Sequence, residues 1–426
     1  MQPTQTNRPT GVVWLLTATL VLTGLSQARA QDSSDGKGDA NTAASQAAST
    51  SKPSFEIYGF AMLDIGHDFK TIDPNWFDTM RVTKLPSSPG EFGEDNRTFA
   101  GVRQSRLGVK TTTPTTDFGD FKTIFEFELF GVGVDEGQTT FRLRHAWGEI
   151  GQIGAGQYWS PFVDTDAFPN SLEYWGPTGL VWYRNVQLRW TPINGDTTSL
   201  MLALERPGAS GDPGRVADRI ELQNVQGRFP LPDFTAAYRF GRKWGYVRAA
   251  GALRRMNWDD TLADQFELSG HATGWGINLS SNVKVAKDVI RLAYVFGEGV
   301  QNYMNDSPID VGIKRNPGNA ITPFVGEAIP IQGVSAFIDH VWTDHYTSAI
   351  GYSWQDNDNT NGQNPDAFRT GHYALANLLY TPVANVMFGG EVQWGRRENF
   401  SDGFSYDGYK LQFSFKYTFS ATIGGQ

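Results

Sequence analysis

From Phe55 onward the chain alternates apolar and polar residues. In the first such segment Phe55, Ile57, Gly59, Ala61, Leu63 and Ile65 take the odd positions, and Glu56, Tyr58, Phe60, Met62 and Asp64 the even ones. A period of two sorts these sets onto opposite faces of a β-strand. The rhythm recurs in Phe121–Gly131, where Phe125, Phe127 and Leu129 alternate with Glu126 and Glu128. In Thr140–Ile150 it places Phe141, Leu143 and Trp147 on one face and Arg142 and Arg144 on the other. In the last segment Tyr409, Leu411, Phe413, Phe415, Tyr417 and Phe419 oppose Lys410, Gln412, Ser414, Lys416 and Thr418. About sixteen such segments are predicted, joined by connections that alternate short and long, as in outer-membrane barrels with an even strand number. The predicted fold is therefore all-β: a transmembrane antiparallel β-barrel over residues 55–419. A closed barrel satisfies every backbone polar group within the bilayer. Aromatics near strand ends (Trp147, Trp190, Tyr380, Tyr417, Phe419) are expected to form interfacial girdles.

One stretch breaks the rhythm. Tyr158–Gly179, YWSPFVDTDAFPNSLEYWGPTG, holds Pro161, Pro169 and Pro177, the acids Asp164, Asp166 and Glu173, and several aromatics including Tyr174. Long loops without regular structure are uncommon in compact folds and are usually functional. This one is expected to fold into the lumen and constrict it. By contrast His67–Ala100, with Pro74, Pro86 and Pro89, reads as a long polar connection.

The N-terminus sets the compartment. Arg8 precedes an apolar run, Gly11–Leu25, and Ala28-Arg29-Ala30 offers small residues at a cleavage site. Residues 1–30 are read as a signal peptide, since the run is short for a membrane span. Residues 31–54 are Ser-, Ala-, Gln- and Asp-rich and lack the apolar content to pack. They are expected to form a flexible periplasmic segment, and residues 420–426 a C-terminal tail. The mean hydropathy of −0.38 is polar, which suits a barrel because only alternate strand residues meet lipid.

The 426-residue chain has no cysteine, which excludes thiolate chemistry, and a net charge of −9, which argues against nucleic-acid binding. The six histidines are scattered, and no HExxH or Gly-X-Ser-X-Gly occurs, so neither an enzyme nor a cofactor is expected. The acidic chain nevertheless places Arg106, Arg142, Arg144, Arg189, Arg248 and Arg254 on the faces opposite the apolar ones. A cationic pore wall of these residues, facing the acids of the constriction loop, would draw anions and orient molecules with separated charges. The plainer alternative is that the arginines pair with Glu126, Glu128 and other interior acids and stiffen the wall.

The run FRLRHAWGEIGQIGAGQYWSPFVDTDAFPNSLEYWGPTG, with FEIYGFAMLDIGHDF and RQSRLGVKT, resembles the DcaP-like outer-membrane porins of Gram-negative bacteria. The resemblance covers Phe55–Phe419 and is most specific over Phe141–Gly179. It implies a sixteen-stranded homotrimeric channel with its third loop in the pore, a periplasmic N-terminal extension, and passage of small anions such as aromatic dicarboxylates. Outer-membrane lipid and lipopolysaccharide are the expected surroundings. A general porin without substrate preference is the nearest alternative; an outer-membrane enzyme or adhesin acting through its long loops is the rival of another class. One departure is that such barrels commonly end on an aromatic residue, whereas here Phe419 is followed by Ser-Ala-Thr-Ile-Gly-Gly-Gln.

Overall fold

A computed structural model describes residues 52–425. The expected signal peptide and most of the expected periplasmic segment lie outside the described residues. The alternating segments form sixteen antiparallel strands. The first eight are β1 (Ser54–Asp68), β2 (Arg106–Thr113), β3 (Phe121–Phe130), β4 (Thr139–Ile150), β5 (Ile153–Trp159), β6 (Arg184–Asn194), β7 (Thr198–Glu205) and β8 (Asp233–Arg242). The rest are β9 (Gly245–Asp260), β10 (Gly270–Val285), β11 (Asp288–Glu298), β12 (Pro330–Val341), β13 (Tyr346–Asn357), β14 (Phe368–Val383), β15 (Val386–Asn399) and β16 (Ser405–Gly424). Each pairs with its sequence neighbour, and β1 closes the cylinder by pairing with β16 from Ser54↔Gly424 to Asp68↔Lys410. No open edge is left for the bilayer to penalise.

The alternation sorts as predicted on most strands. Phe55, Ile57, Leu63 and Ile65 are exposed on the outer wall, while Met62 and Asp64 are buried inside. Trp190, Tyr380 and Tyr417 also stay exposed on the outer wall.

On β4 the parity changes. Glu126 of β3 pairs with His145 but Phe127 pairs with Leu143, so Arg144 is an extra residue, a β-bulge. Phe141 and Leu143 face out; beyond the bulge His145 and Trp147 face in, each only 4% exposed. Trp147 therefore does not belong to the girdle. It lies inside, flat over Gly154, where a Cβ would come within 2.0 Å of its ring, and carries Arg189 at 4.4 Å.

The final strand does not stop at Phe419. It runs to Gly424, and Phe55 and Glu56 need Ile423 and Thr422 as ladder partners. Residues 420–424 are thus barrel wall rather than tail.

Short turns mark one rim and long loops the other, which makes the short-turn rim periplasmic. On the long-loop rim, Gly211–Asp212, Val311–Arg315 and Phe324–Ala328 form a separate three-stranded sheet. The segment read as a polar connection after β1 is a second inward element. Its Ile72, Met80, Val82 and Leu85 are buried beside inner-wall residues such as Phe337, Tyr373 and Leu375, and its Trp76 is buried against Phe130 and Trp175.

Candidate functional site, the constricted lumen

The loop between β5 and β6, residues 160–183, crosses the interior and is fastened along the inner surface of the far wall. Its prolines prevent it from joining the ladder, so its backbone groups find side-chain partners instead. Asn278 donates to the Phe162 carbonyl at 2.9 Å, and Arg248 donates to that of Pro161. Asn377 donates to the Asn170 carbonyl at 2.8 Å, and Glu391 accepts the backbone N–H of Leu172 at 2.8 Å and of Glu173 at 3.1 Å. Ser353 accepts from the N–H of Gly179 at 2.8 Å. Gly179 lies so close to the wall that a Cβ would stand 2.1 Å from the Trp354 carbonyl oxygen.

The loop acids belong to this fastening. Asp164 accepts from Tyr246 at 2.7 Å and Ser280 at 2.5 Å. Glu173 accepts the Met80 N–H at 2.9 Å and that of Gly176. Burial without a cation in contact pushes the Glu173 carboxyl up to about 7. Asp166 pairs with Arg239 at 2.6 Å. The expected acidic face opposite the cationic wall is therefore corrected: Asp164 and Glu173 are 4% and 2% exposed and turn toward the far wall. What the loop offers the constriction is chiefly polar and aromatic, Phe168, Asn170, Ser171, Tyr174, Trp182 and Tyr183, with Glu173 the one loop acid that borders this space; Asp166 stays exposed but is paired with Arg239.

Across from it, β2–β4 and the start of β6 hold a cluster of cations. Arg144 donates to Glu126 and to Glu128 at 2.6 Å each. Arg106, Arg142 and Arg184 approach Glu128 at 3.4, 3.5 and 3.6 Å, and Arg106 reaches Glu126 at 3.7 Å. Tyr174 reaches over from the loop to donate to Glu128, and its ring stacks on Phe130 with centroids 3.8 Å apart. Burial beside this carboxylate holds the Tyr174 hydroxyl above its ordinary pKa, keeping it a donor. Lys416 extends over Phe60 at 4.5 Å and enters no ion pair among the described residues. Four guanidinium groups therefore gather on two carboxylates, and the Lys416 ammonium borders the same space without a carboxylate of its own. From the loop after β1, Arg81 reaches the lumen sandwiched between Trp76 and Trp175, each at 4.1 Å, and is neutralised by Asp306 at 2.9 Å. These groups enclose a lumen space of about 600 Å³.

The six predicted arginines divide. Arg106, Arg142 and Arg144 form the cluster. Arg189 is inside but lower, on Trp147 and near Glu149 at 3.7 Å. Arg248 and Arg254 are buried at 4% and 2% exposed and do not line the constriction. Arg248 holds the Pro161 carbonyl; Arg254 bridges Asp233 at 2.9 Å and Asp310 at 2.8 Å. Of the predicted loop residues, Tyr158 ends in β5 with its ring stacked on Trp147 at 5.5 Å. Arg184 was not anticipated. It shares parity with the outward Val186 and Leu188, but it is the first residue after the loop and turns inward to Glu128 and the Trp159 ring. Its one sequence signal is its place at the end of the inserted loop.

The DcaP outer membrane protein family profile matches residues 24–411. The chain belongs to the DcaP outer membrane protein family. Among solved structures, the outer membrane channel DcaP of Acinetobacter baumannii superposes with a TM-score of 0.71 at 23% identity, over 86% of this chain and 98% of that one. An anion-selective porin from Comamonas acidovorans gives 0.54 at 10% identity, over 86% and 100%. The trimer form of OmpT of Vibrio cholerae gives 0.52 at 12%, also over 86% and 100%. No curated protein matches the sequence significantly. Membership in the DcaP family, with this barrel, makes the chain an outer-membrane channel protein.

Proposed function

We propose that this DcaP-family channel passes small anions in preference to cations, and aromatic carboxylates among them. The observation that carries the reading is the imbalance at the constriction: Arg106, Arg142, Arg144, Arg184 and Lys416 against Glu126 and Glu128. The two carboxylates stiffen the wall, as the plainer alternative requires, but they cannot neutralise it. A narrow channel with low-dielectric walls concentrates such an excess into a field acting on each passing ion. Arg106 and Arg142 keep about a quarter of their side-chain surface open, at 24% and 27%. A carboxylate can therefore meet a guanidinium fork while an attached ring lies along Trp182 or Tyr183 of the loop.

The homotrimer is part of the same proposal, supported by the trimer form recorded for the OmpT structure. Outer-membrane lipid and lipopolysaccharide would surround the assembly. The deciding experiment is the reversal potential of the purified channel in a planar bilayer under a salt gradient. An anion-signed potential is expected. Equal permeability would leave a general porin, and the absence of conductance would remove the channel reading altogether.

A further inference from the structure

We propose that the outer wall over β8–β12 carries a binding site for an anionic phospholipid of the periplasmic leaflet, with an acyl chain in a side-chain groove and the phosphate on the adjoining turns. The membrane-facing side chains there are uneven in size. Ala249, Ser281 and Ala336 are short, and Tyr238, Leu292 and Tyr294 stand up around them. Ala249 is in register with Tyr238, and Leu292 sits between Ser281 and Ala336 on its two neighbouring strands. The depression they leave measures about 640 Å³ and is almost wholly apolar. On a lipid-facing wall such a hollow is filled by hydrocarbon, since an unfilled one forfeits dispersion contacts on every side.

The headgroup end of the site is marked by charge. Arg242 ends β8, Lys243 follows in the turn, Lys284 lies near the end of β10 and Lys287 in the turn after it. The two turns are neighbours, because Lys284 N–H donates to the Trp244 carbonyl at 2.7 Å. All four cations are exposed, and none enters an ion pair among the described residues. Of the nearby acids, Asp288 is held by His340 at 2.8 Å and Asp339 by Arg291 at 2.6 Å, and Asp196, beside the Thr197 carbonyl that accepts from Gly241 N–H, is left without an ion pair among the described residues, against four cations. Arg242 ties charge to groove, its guanidinium lying 3.7 Å over the ring of Phe240, which borders the depression. Arg242 stands two residues beyond Phe240 on the same face, about 7 Å along an extended strand, which suits the distance from a lipid phosphate to its upper acyl chain. Lys284 starts from the other face of the pleat, with the inward Ser280 and Asn282, and adds its charge at the rim. Clustered cations at a membrane surface select anionic over zwitterionic headgroups.

The test is native mass spectrometry of the full exported protein in mild detergent containing equal amounts of phosphatidylglycerol and phosphatidylcholine. At least threefold more phosphatidylglycerol adducts are expected on the wild type. The R242Q/K243Q/K284Q/K287Q variant should bind the two lipids equally, and Ala249→Phe, which fills the groove, should lower retention of both. Equal adducts on the wild type would overturn the proposal without any variant. Oligomer loss in Ala249→Phe with phosphatidylglycerol adducts unchanged would also overturn it, assigning the face to a second copy. None of these residues borders the constriction, so failure here leaves the selectivity reading untouched.

Discussion

Replacing Arg142 by Gln should weaken anion preference by an amount that can be worked from the structure. Arg142 approaches Glu128 and Tyr174 only at 3.5 and 3.3 Å, while Arg144 holds the same carboxylate at 2.6 Å. Its removal therefore costs the wall little, and the lost charge acts mainly on the permeant ion. At a separation of about 6 Å in a water-filled lumen, one unit charge contributes about 0.7 kcal/mol. That is a factor of roughly three for an anion and the inverse for a cation, so the permeability ratio should fall about tenfold. The effect should shrink at 1 M salt, where the screening length is about 3 Å. The assay is the reversal potential across a planar bilayer at about 0.05 M and 1 M salt, with Lys122→Gln, at an exposed position near the periplasmic end of β3, as the charge-matched control. If Arg142→Gln and Arg184→Gln both keep the wild-type ratio within twofold at low salt, the excess-charge argument fails.

Three further outcomes follow from the same contacts. Arg254→Gln strips the buried Asp233 and Asp310 of their shared cation; a loss of about 3–5 kcal/mol is expected, read as a lower unfolding midpoint in urea. Glu173 has a folded-state pKa of about 7, raised by burial from the usual 4.5, so its contribution to loop anchorage is fully present below 4.5 and is lost as pH rises through 7. Over that window the loss is about 3 kcal/mol; single-channel current should grow noisier between pH 6 and 8, and Glu173→Gln should remove the dependence. Gly179→Val would drive a side chain into the Trp354 and Val334 carbonyls, so the loop must lift; a changed single-channel conductance with an intact barrel on heat-modifiability gels is the expected reading.

Period-two alternation is a property of the backbone, so the strands could be read before any contact was known. The kinked stretch at Tyr158–Gly179 was legible for the opposite reason: three prolines and no period leave it no place in a wall. Alternation failed where its assumption failed. At Arg144 one inserted residue reverses the parity, and Trp147 moves from the expected girdle to the lumen. At Arg184 the strand is only beginning, and the loop, not the pleat, sets the side chain's direction. Parity also says only that a residue points inward, not what covers it. Arg248 and Arg254 do point inward, but folded loops lie over both, a long-range fact with no local signature. The inner packing of the loop after β1 has no strand signature in the sequence, because Ile72, Trp76, Met80, Val82 and Leu85 follow no period of two and stand among polar residues and Pro74.

The place of Glu126 and Glu128 explains how a positively biased pore can be built at all. Four guanidinium groups gathered without counter-charge would repel one another and swing into the lumen, each in its own hydrated geometry. Two buried carboxylates, Glu128 at 1% exposed, gather them from β2, β4 and β6 onto one patch of wall and spend two of their charges doing so. Tyr174 then locks the loop to the same carboxylate, so the width of the passage and the position of its charge are fixed by one group. Selectivity and aperture should therefore change together in Glu128→Gln. The variant gains a positive charge, but it loses the charge-assisted bonds that hold Arg144 and Tyr174 in place. Its anion preference should rise while single-channel conductance spreads into several levels. A rise in preference at a single unchanged conductance level would mean that the loop is held by its far-wall contacts alone.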